Sequence, residues 1–448
     1  MLEPVSFGQY STAFAFVGLF RILPDFGMSY ASTLAISRQP NLARRISGGL
    51  LGFQAALSLG TLTLCLAIGR ALYDGVIWTA VVILAVDLLL KALKTTLRWL
   101  LKSLERFGVE AASLLAERLL ILGFGSAALL LGYGVVGFVT VFAAVRLVDA
   151  IALAVFVDAR VVPLRPVADT QLWRELMRKG LPFAYAGLVI TLVFQVDAVL
   201  LEALRDPVEV GIYRAPTLVL EGLTLVPRIL GFALIPTMAA LHEQRPEVVG
   251  ALYRRGVKYL VLAGLPVAVF GVLESDRLVT LLFGEAFAPS IPVSRVLLPA
   301  ALFMFLSNFG ETALACVNRW RSIVISSTAA LALNVALNLA WIPRSGAMGS
   351  AWATLGTEGV YFALTAVAMA RAGHRPPGPL RLLRPLLACL AFAVTLGLLR
   401  PLPLLVATAT ACAAFVAATF ALGVWDAAER AALRELLHGR RLDPGALT

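Results

Sequence analysis

Thirteen stretches of this chain are apolar over a length that can cross a bilayer. They lie near 10–34, 46–69, 75–97, 111–133, 135–157, 180–203, 211–238, 258–273, 290–315, 322–342, 346–370, 382–399 and 402–424. A helix rises 1.5 Å per residue, so about 20 apolar residues span the hydrocarbon core. Lipid offers the backbone no hydrogen-bond partner, so such stretches must be helices. The chain is 60% hydrophobic and 15% charged, which excludes an ordinary soluble domain. The fold class is therefore an all-α polytopic membrane protein. No charged stretch followed by a cleavage site opens the chain, so a removable signal peptide is not expected.

Charge placement sets the orientation. Alternate connections at 35–45, 91–110, 158–179, 242–258, 318–321, 371–384 and 425–448 hold 27 of the 38 Lys and Arg residues. The opposite set holds Arg70, Arg205, Arg277, Arg344 and Arg400. By the positive-inside rule the first set is cytoplasmic, which puts the C-terminus inside and Met1 outside. This asymmetry accounts for the formal charge of +11 without a nucleic-acid partner.

The stretch 211–238 carries Arg214, Glu221 and Arg228 at seven-residue spacing. On one helix they keep close to one face, drifting ~20° per heptad. An ionised group at mid-membrane costs about 2.5–3.5 kcal/mol even on the lenient insertion scale, so this face should look into protein or water. Arg21, Arg118, Arg146 and Arg295 are also within spans, as are Asp25, Asp87, Glu117, Asp149, Asp197, Glu221, Glu311 and Glu358. Arg21 with Asp25, and Arg146 with Asp149, have the spacing of same-helix ion pairs. Arginine grips phosphate with two parallel hydrogen bonds, so Arg21, Arg214 and Arg228 are candidate contacts for an anionic head group, structural ion pairing being the other reading. Glu221, Glu311 and Glu358 are candidates for a coupling proton or sodium ion. Cys65, Cys316, Cys389 and Cys412 are scattered in apolar segments and read as core residues, not a metal site or disulfides. No Gly-rich nucleotide loop occurs, so no ATP site is expected, and the sequence calls for no cofactor.

An internal repeat organises the chain. Pro4, Val5, Gly8, Tyr10 and Pro24 match Pro207, Val208, Gly211, Tyr213 and Pro227 at one offset, and Gly134 and Gly137 match Gly346 and Gly349 at another. Both copies keep the same sidedness, which predicts a parallel repeat. The expected division is an N-terminal lobe at 1–158 with five spans, a linker at 159–179, a C-terminal lobe at 180–371 with six spans, two further spans within 372–424, and a tail at 425–448. Residues 166–180 predict a surface helix capped by Asp169 or Thr170, with Leu172, Trp173, Leu176 and Met177 on one stripe and Gly180 at its end. Trp425 to His438 has a similar amphipathic pattern. A span precedes the DPVEVGIY turn but none precedes EPVSFGQY, so one helix of a 14-helix pattern is expected to be missing. The repeat also mates Asp25 with Arg228 and Arg146 with Glu358, pairs that could bridge the lobes.

The opening LEPVSFGQY, GLPFAYAGL at 180–188, QVDAVLLEALRDPVEVGIYRAP at 195–216, LIPTM at 234–238, LFGEAFAP at 282–289 and NVALNLAWIPRSGAMGSAWAT at 334–354 carry a resemblance. Together, and in this order, they resemble the polysaccharide biosynthesis, or Wzx-type oligosaccharide flippase, branch of the multidrug/oligosaccharidyl-lipid/polysaccharide (MOP) exporter superfamily. The resemblance implies two pseudo-symmetric helical lobes around a central cavity, in the bacterial cytoplasmic membrane. It implies translocation of an undecaprenyl-diphosphate-linked oligosaccharide, with a polysaccharide polymerase and glycosyltransferases as partners. The substrate contacts expected on that reading are Arg21, Asp25, Arg214, Glu221 and Arg228, with Arg146, Glu311 and Glu358 for ion coupling or inter-lobe pairing. The alternatives are a drug or organic-cation antiporter of the same superfamily, or a lipid II flippase. An enzyme is not expected, because the outer connections are short and the longest, about 274–289, has no organised catalytic constellation.

Overall fold

The computed structural model describes residues 3–29, 32, 36, 43–165, 167, 169–427 and 429–430. Among these residues the regular structure is helical, and eight helices are long and apolar enough to cross a membrane, or ten if each of two bent pairs is one span. The chain separates into two compact units, Met1–Gly211 and Ile212–Thr448.

The first unit contains α1 (Pro4–Phe20), α2 (Ala43–Leu72), α3 (Gly75–Ser103), α4 (Phe107–Leu130), α5 (Gly134–Arg160) and α6 (Thr170–Leu204). A broad apolar cluster in it joins Phe16, Phe20 and Val17 of α1 to Leu84 and Leu88 of α3 and to Val139 and Phe142 of α5. The apolar stretch 10–34 is not one helix. Residues 21–27 form turns, Phe26 and Gly27 have positive φ, and helix resumes at Met28. Pro24 sits in this break, where a residue without an N–H costs no helical bond.

The structure modifies the expected linker. Asp169 caps α6 as expected, accepting from the Leu172 N–H at 3.0 Å. Gly180 does not end the helix, which runs on to Leu204. Gly180 serves close packing instead: a Cβ there would lie 2.9 Å from the Phe26 carbonyl oxygen. The stripe packs inward, with the Trp173 indole N–H donating to the Gly49 carbonyl at 2.7 Å and its ring stacked on Phe53. Leu176 is buried beside Met28 and Leu50.

The repeat is visible in backbone geometry. Gly134 and Gly346 both have positive φ, +59° and +53°. Within the first unit the matched pairs Pro4/Gly8 and Pro207/Gly211 touch reciprocally. A Cβ on Gly8 would lie 1.7 Å from the Pro207 oxygen, and one on Gly211 2.0 Å from the Pro4 oxygen.

α7 (Pro207–Leu223) begins in the first unit and continues into the second. There follow α8 (Leu225–Leu241), α9 (Pro246–Leu273), α10 (Ser275–Phe283), α11 (Ser290–Leu297), α12 (Ala300–Cys316), α13 (Trp320–Arg371), α14 (Pro379–Leu398) and α15 (Leu404–Ala421). Thr224 interrupts the expected 211–238 helix, so Arg214 and Glu221 share α7 while Arg228 lies on α8. α13 is two spans: a straight helix would separate Asn338 from Ser350 by roughly 18 Å, yet the serine hydroxyl donates to the Asn338 side chain at 2.8 Å. The chain therefore reverses at Gly346, matching the expected spans 322–342 and 346–370. Cys65, Cys316 and Cys389 are buried, but Cys412 is exposed on α15, contrary to its reading as core.

Candidate functional site

The densest polar feature of the first unit is a seam of charges between α3, α4 and α5. α3 presents Asp87, Lys91, Lys94 and Arg98, a four–three–four spacing that keeps all of them on one face. Asp87 is buried and receives two guanidiniums. Arg21 donates at 3.0 Å, and Arg146 of α5 donates to both carboxylate oxygens, at 2.6 and 2.5 Å. Each of these guanidiniums lies 4.5 Å from a phenylalanine ring centre, Arg21 over Phe14 and Arg146 over Phe142. Farther along, Lys94 bridges Glu117 at 2.7 Å and Asp149 at 2.6 Å, and Arg98 bridges the same two carboxylates at 2.7 and 3.0 Å. Ser113 adds a hydroxyl to Asp149 at 2.6 Å. These shared partners neutralise charges that would otherwise be costly to bury.

The expected same-helix pairs are replaced by these cross-helix ones. Arg21 and Asp25 lie in the broken segment, so the four-residue spacing no longer stacks them. Asp25 instead accepts from the side chains of Gln54, at 2.7 Å, and Ser29. Arg146 and Asp149 do share a helix, but Asp149 is occupied by Lys94, Arg98 and Ser113. Lys94 and Arg98, expected in the basic connection 91–110, belong to this seam because α3 extends to Ser103. The 87/91/94/98 spacing was the sequence signal for them.

In the second unit Arg214 donates to Glu221 at 2.9 Å, so the seven-residue spacing does bring these two together. Arg214 is buried, and Arg228 is exposed with no ion-pair partner among the described residues. α12 and α13 hold a second polar cluster. The Tyr361 hydroxyl donates to Glu311 at 2.9 Å, and the Ser307 hydroxyl donates to Glu358 at 2.8 Å. Neither carboxylate has a cationic partner among the described residues. Asp25, Arg146 and Glu358 thus each make their polar bonds within their own unit. Among the described residues no group of three or more His, Cys, Asp or Glu side chains could hold a metal.

A sequence profile of the family described as polysaccharide biosynthesis protein matches residues 1–242, more than half of the chain. The chain belongs to this polysaccharide biosynthesis family. Comparison with curated proteins finds no sequence match. The fold is shared with solved transporters described as members of the MOP superfamily. An inward-facing multidrug resistance MATE family transporter aligns with a TM-score of 0.69 at 14% identity, covering 83% of this chain and 91% of its own. The lipid II flippase MurJ, in an inward closed conformation, aligns with a TM-score of 0.69 at 10% identity, covering 91% and 97%. A MOP superfamily transporter from Pyrococcus furiosus, described by a reversed polarity of its binding pocket, aligns at 0.57 and 13% identity, covering 82% and 87%. At such identities the likeness establishes the fold. It agrees with the family's expected two-lobed helical architecture.

Proposed function

We propose that the chain is a flippase that moves an undecaprenyl-diphosphate-linked oligosaccharide across the bacterial cytoplasmic membrane by alternating access, for cell-surface polysaccharide assembly. The observation that carries this reading is the cationic surplus around Asp87 in a member of the polysaccharide biosynthesis family. Arg21 and Arg146 both close on Asp87, and Arg146 also reaches Glu117 at 3.3 Å. Along the seam Arg21, Lys91, Lys94, Arg98 and Arg146 outnumber Asp87, Glu117 and Asp149, and among the described residues the buried Arg21 Nε has no hydrogen-bond partner. Lys91 adds its charge nearby on the same face of α3. Such a surplus suits an anionic cargo, because charge-assisted hydrogen bonds to phosphate are the strong ones. Arg21, Asp25, Arg214, Glu221 and Arg228 are the proposed cargo contacts, with Arg146, Glu311 and Glu358 serving ion coupling or pairing between lobes. On this reading the C-terminus is cytoplasmic, and a polymerase and glycosyltransferases act on either side of the transport step.

One observation favours a second reading. Glu311 and Glu358 form a carboxylate cluster without a cation among the described residues, which would suit an organic-cation antiporter. The deciding experiment reconstitutes the full chain in vesicles with a fluorescent lipid-linked oligosaccharide and follows its accessibility to a membrane-impermeant quencher. The flippase reading expects the wild type to equilibrate the lipid between leaflets. Arg21→Gln should slow it by about tenfold or more, the scale of one lost charge-assisted bond. Proton-driven uptake of an organic cation with no movement of the lipid would instead establish the antiporter.

A further inference from the structure

One end of the second unit holds a cavity of about 610 Å³ that no reading above uses. Three segments meet there: the first half of α9, the start of α14 and the exit from α15. α9 contributes Arg254, Arg255 and Lys258, and α14 contributes Arg384. The walls are held in place. Arg384 donates to the Gly423 carbonyl at 2.8 Å, and Lys258 donates to both Glu429 oxygens at 2.5 and 2.6 Å. Asp426 and Glu429 exchange backbone-to-side-chain bonds of 2.8 Å each, a reciprocal capping box that fixes the turn after α15. Glu429 is buried and already bonded by Lys258 and by the Tyr259 hydroxyl, at 2.7 Å. Asp426, 3.8 Å from Arg255, is the carboxylate that lines the cavity. Among the described residues, four cations against these two carboxylates leave positive charge in excess. His374, in the loop before α14, is buried, and that burial, then nearby Arg254, holds its imidazole below the usual pKa range.

The depth of the cavity follows from its neighbours. Tyr259 and Phe420 both stack on Trp425, with ring centres 6.0 and 5.9 Å apart. Tyrosine and tryptophan collect where membrane meets water. From this level α9 and α14 continue into apolar sequence, and Leu382 and Val424 give the cavity an apolar wall. An aromatic ring, guanidiniums and an apolar wall at one level match a phospholipid at its headgroup, since basic pockets between spanning helices bind anionic headgroups.

We propose that this cavity binds the phosphate of an anionic membrane lipid, gripped by Arg254 and Arg384, with the glycerol and upper acyl chains against Leu382 and Val424. The inference is independent of the cargo reading, because none of the proposed cargo contacts lines the cavity. The test is native mass spectrometry of the purified full chain, titrated in detergent with phosphatidylglycerol, with phosphatidylcholine, or with inorganic phosphate. Wild type should retain phosphatidylglycerol under conditions that strip phosphatidylcholine. Arg254→Gln with Arg384→Gln should weaken that retention by roughly tenfold or more, the scale of two basic side chains at a headgroup. Equal retention of the two lipids by the wild type overturns the proposal and needs no variant. Undiminished phosphatidylglycerol binding by the double variant also overturns it. Displacement of phosphatidylglycerol by modest inorganic phosphate would show a free-anion site and overturn the lipid assignment.

Discussion

Asp87 is the residue on which the first unit's charges turn, because Arg21 and Arg146 both close on it. Removing one partner from a buried pair strands the other, at a cost of about 3–5 kcal/mol. Asp87→Asn should therefore lower the melting temperature of the purified protein sharply, and Asp87→Glu, which keeps the charge, should lower it less. An unchanged melting temperature in the asparagine variant would mean that the seam contributes nothing to stability. The ionisable residues themselves were legible in the sequence, since charges in apolar stretches stand out. Their partners were not, because spacing along one helix reports only that helix. Asp149 shows why: its i−3 arginine turns to Asp87 and Glu117, while Lys94, Arg98 and Ser113 fill its oxygens from other helices. The Arg214–Glu221 pair was legible for the converse reason, both lying on one unbroken helix.

At the scale of elements, the glycines matched between repeats carry the geometry. Gly346 adopts φ +53° and ψ −133° where α13 reverses. A side chain in such a conformation costs on the order of 1–3 kcal/mol, so Gly346→Ala should destabilise the protein by about that much on thermal unfolding. A second element-level test concerns the α6 cap. The Leu172 N–H and then Arg45 hold the Asp169 carboxyl below the usual carboxylate range. A depressed folded value means the cap's contribution is complete above the unfolded value, about pH 4. It is lost as the pH falls through the lower folded value. Melting temperatures should therefore fall more steeply on acidification below about pH 4 in the wild type than in Asp169→Asn. Parallel slopes would remove the cap from the account. Span positions were readable because twenty apolar residues have few alternatives in lipid. The ends were harder: Gly180 looked like a stop, yet its missing side chain serves a close approach to the Phe26 carbonyl while the helix runs on.

For the whole molecule, the family profile and the MOP-type fold agree with the ordered motifs read from the sequence. Energy coupling can be tested at this scale. Glu358→Gln keeps an oxygen to accept from the Ser307 hydroxyl, so the protein should stay folded, and transport should lose its dependence on an imposed proton or sodium gradient. A variant as gradient-dependent as the wild type would exclude Glu358 as the coupling site. The reciprocal approach of Pro4–Gly8 and Pro207–Gly211 carries a consequence for how such a chain can diverge. Duplicated segments ordinarily drift apart in sequence. Here each copy's glycine is pressed against the other copy's carbonyl, so a methyl group gained in one must be answered by a backbone shift in its twin, and this short stretch should be the last place where the ancestral duplication fades.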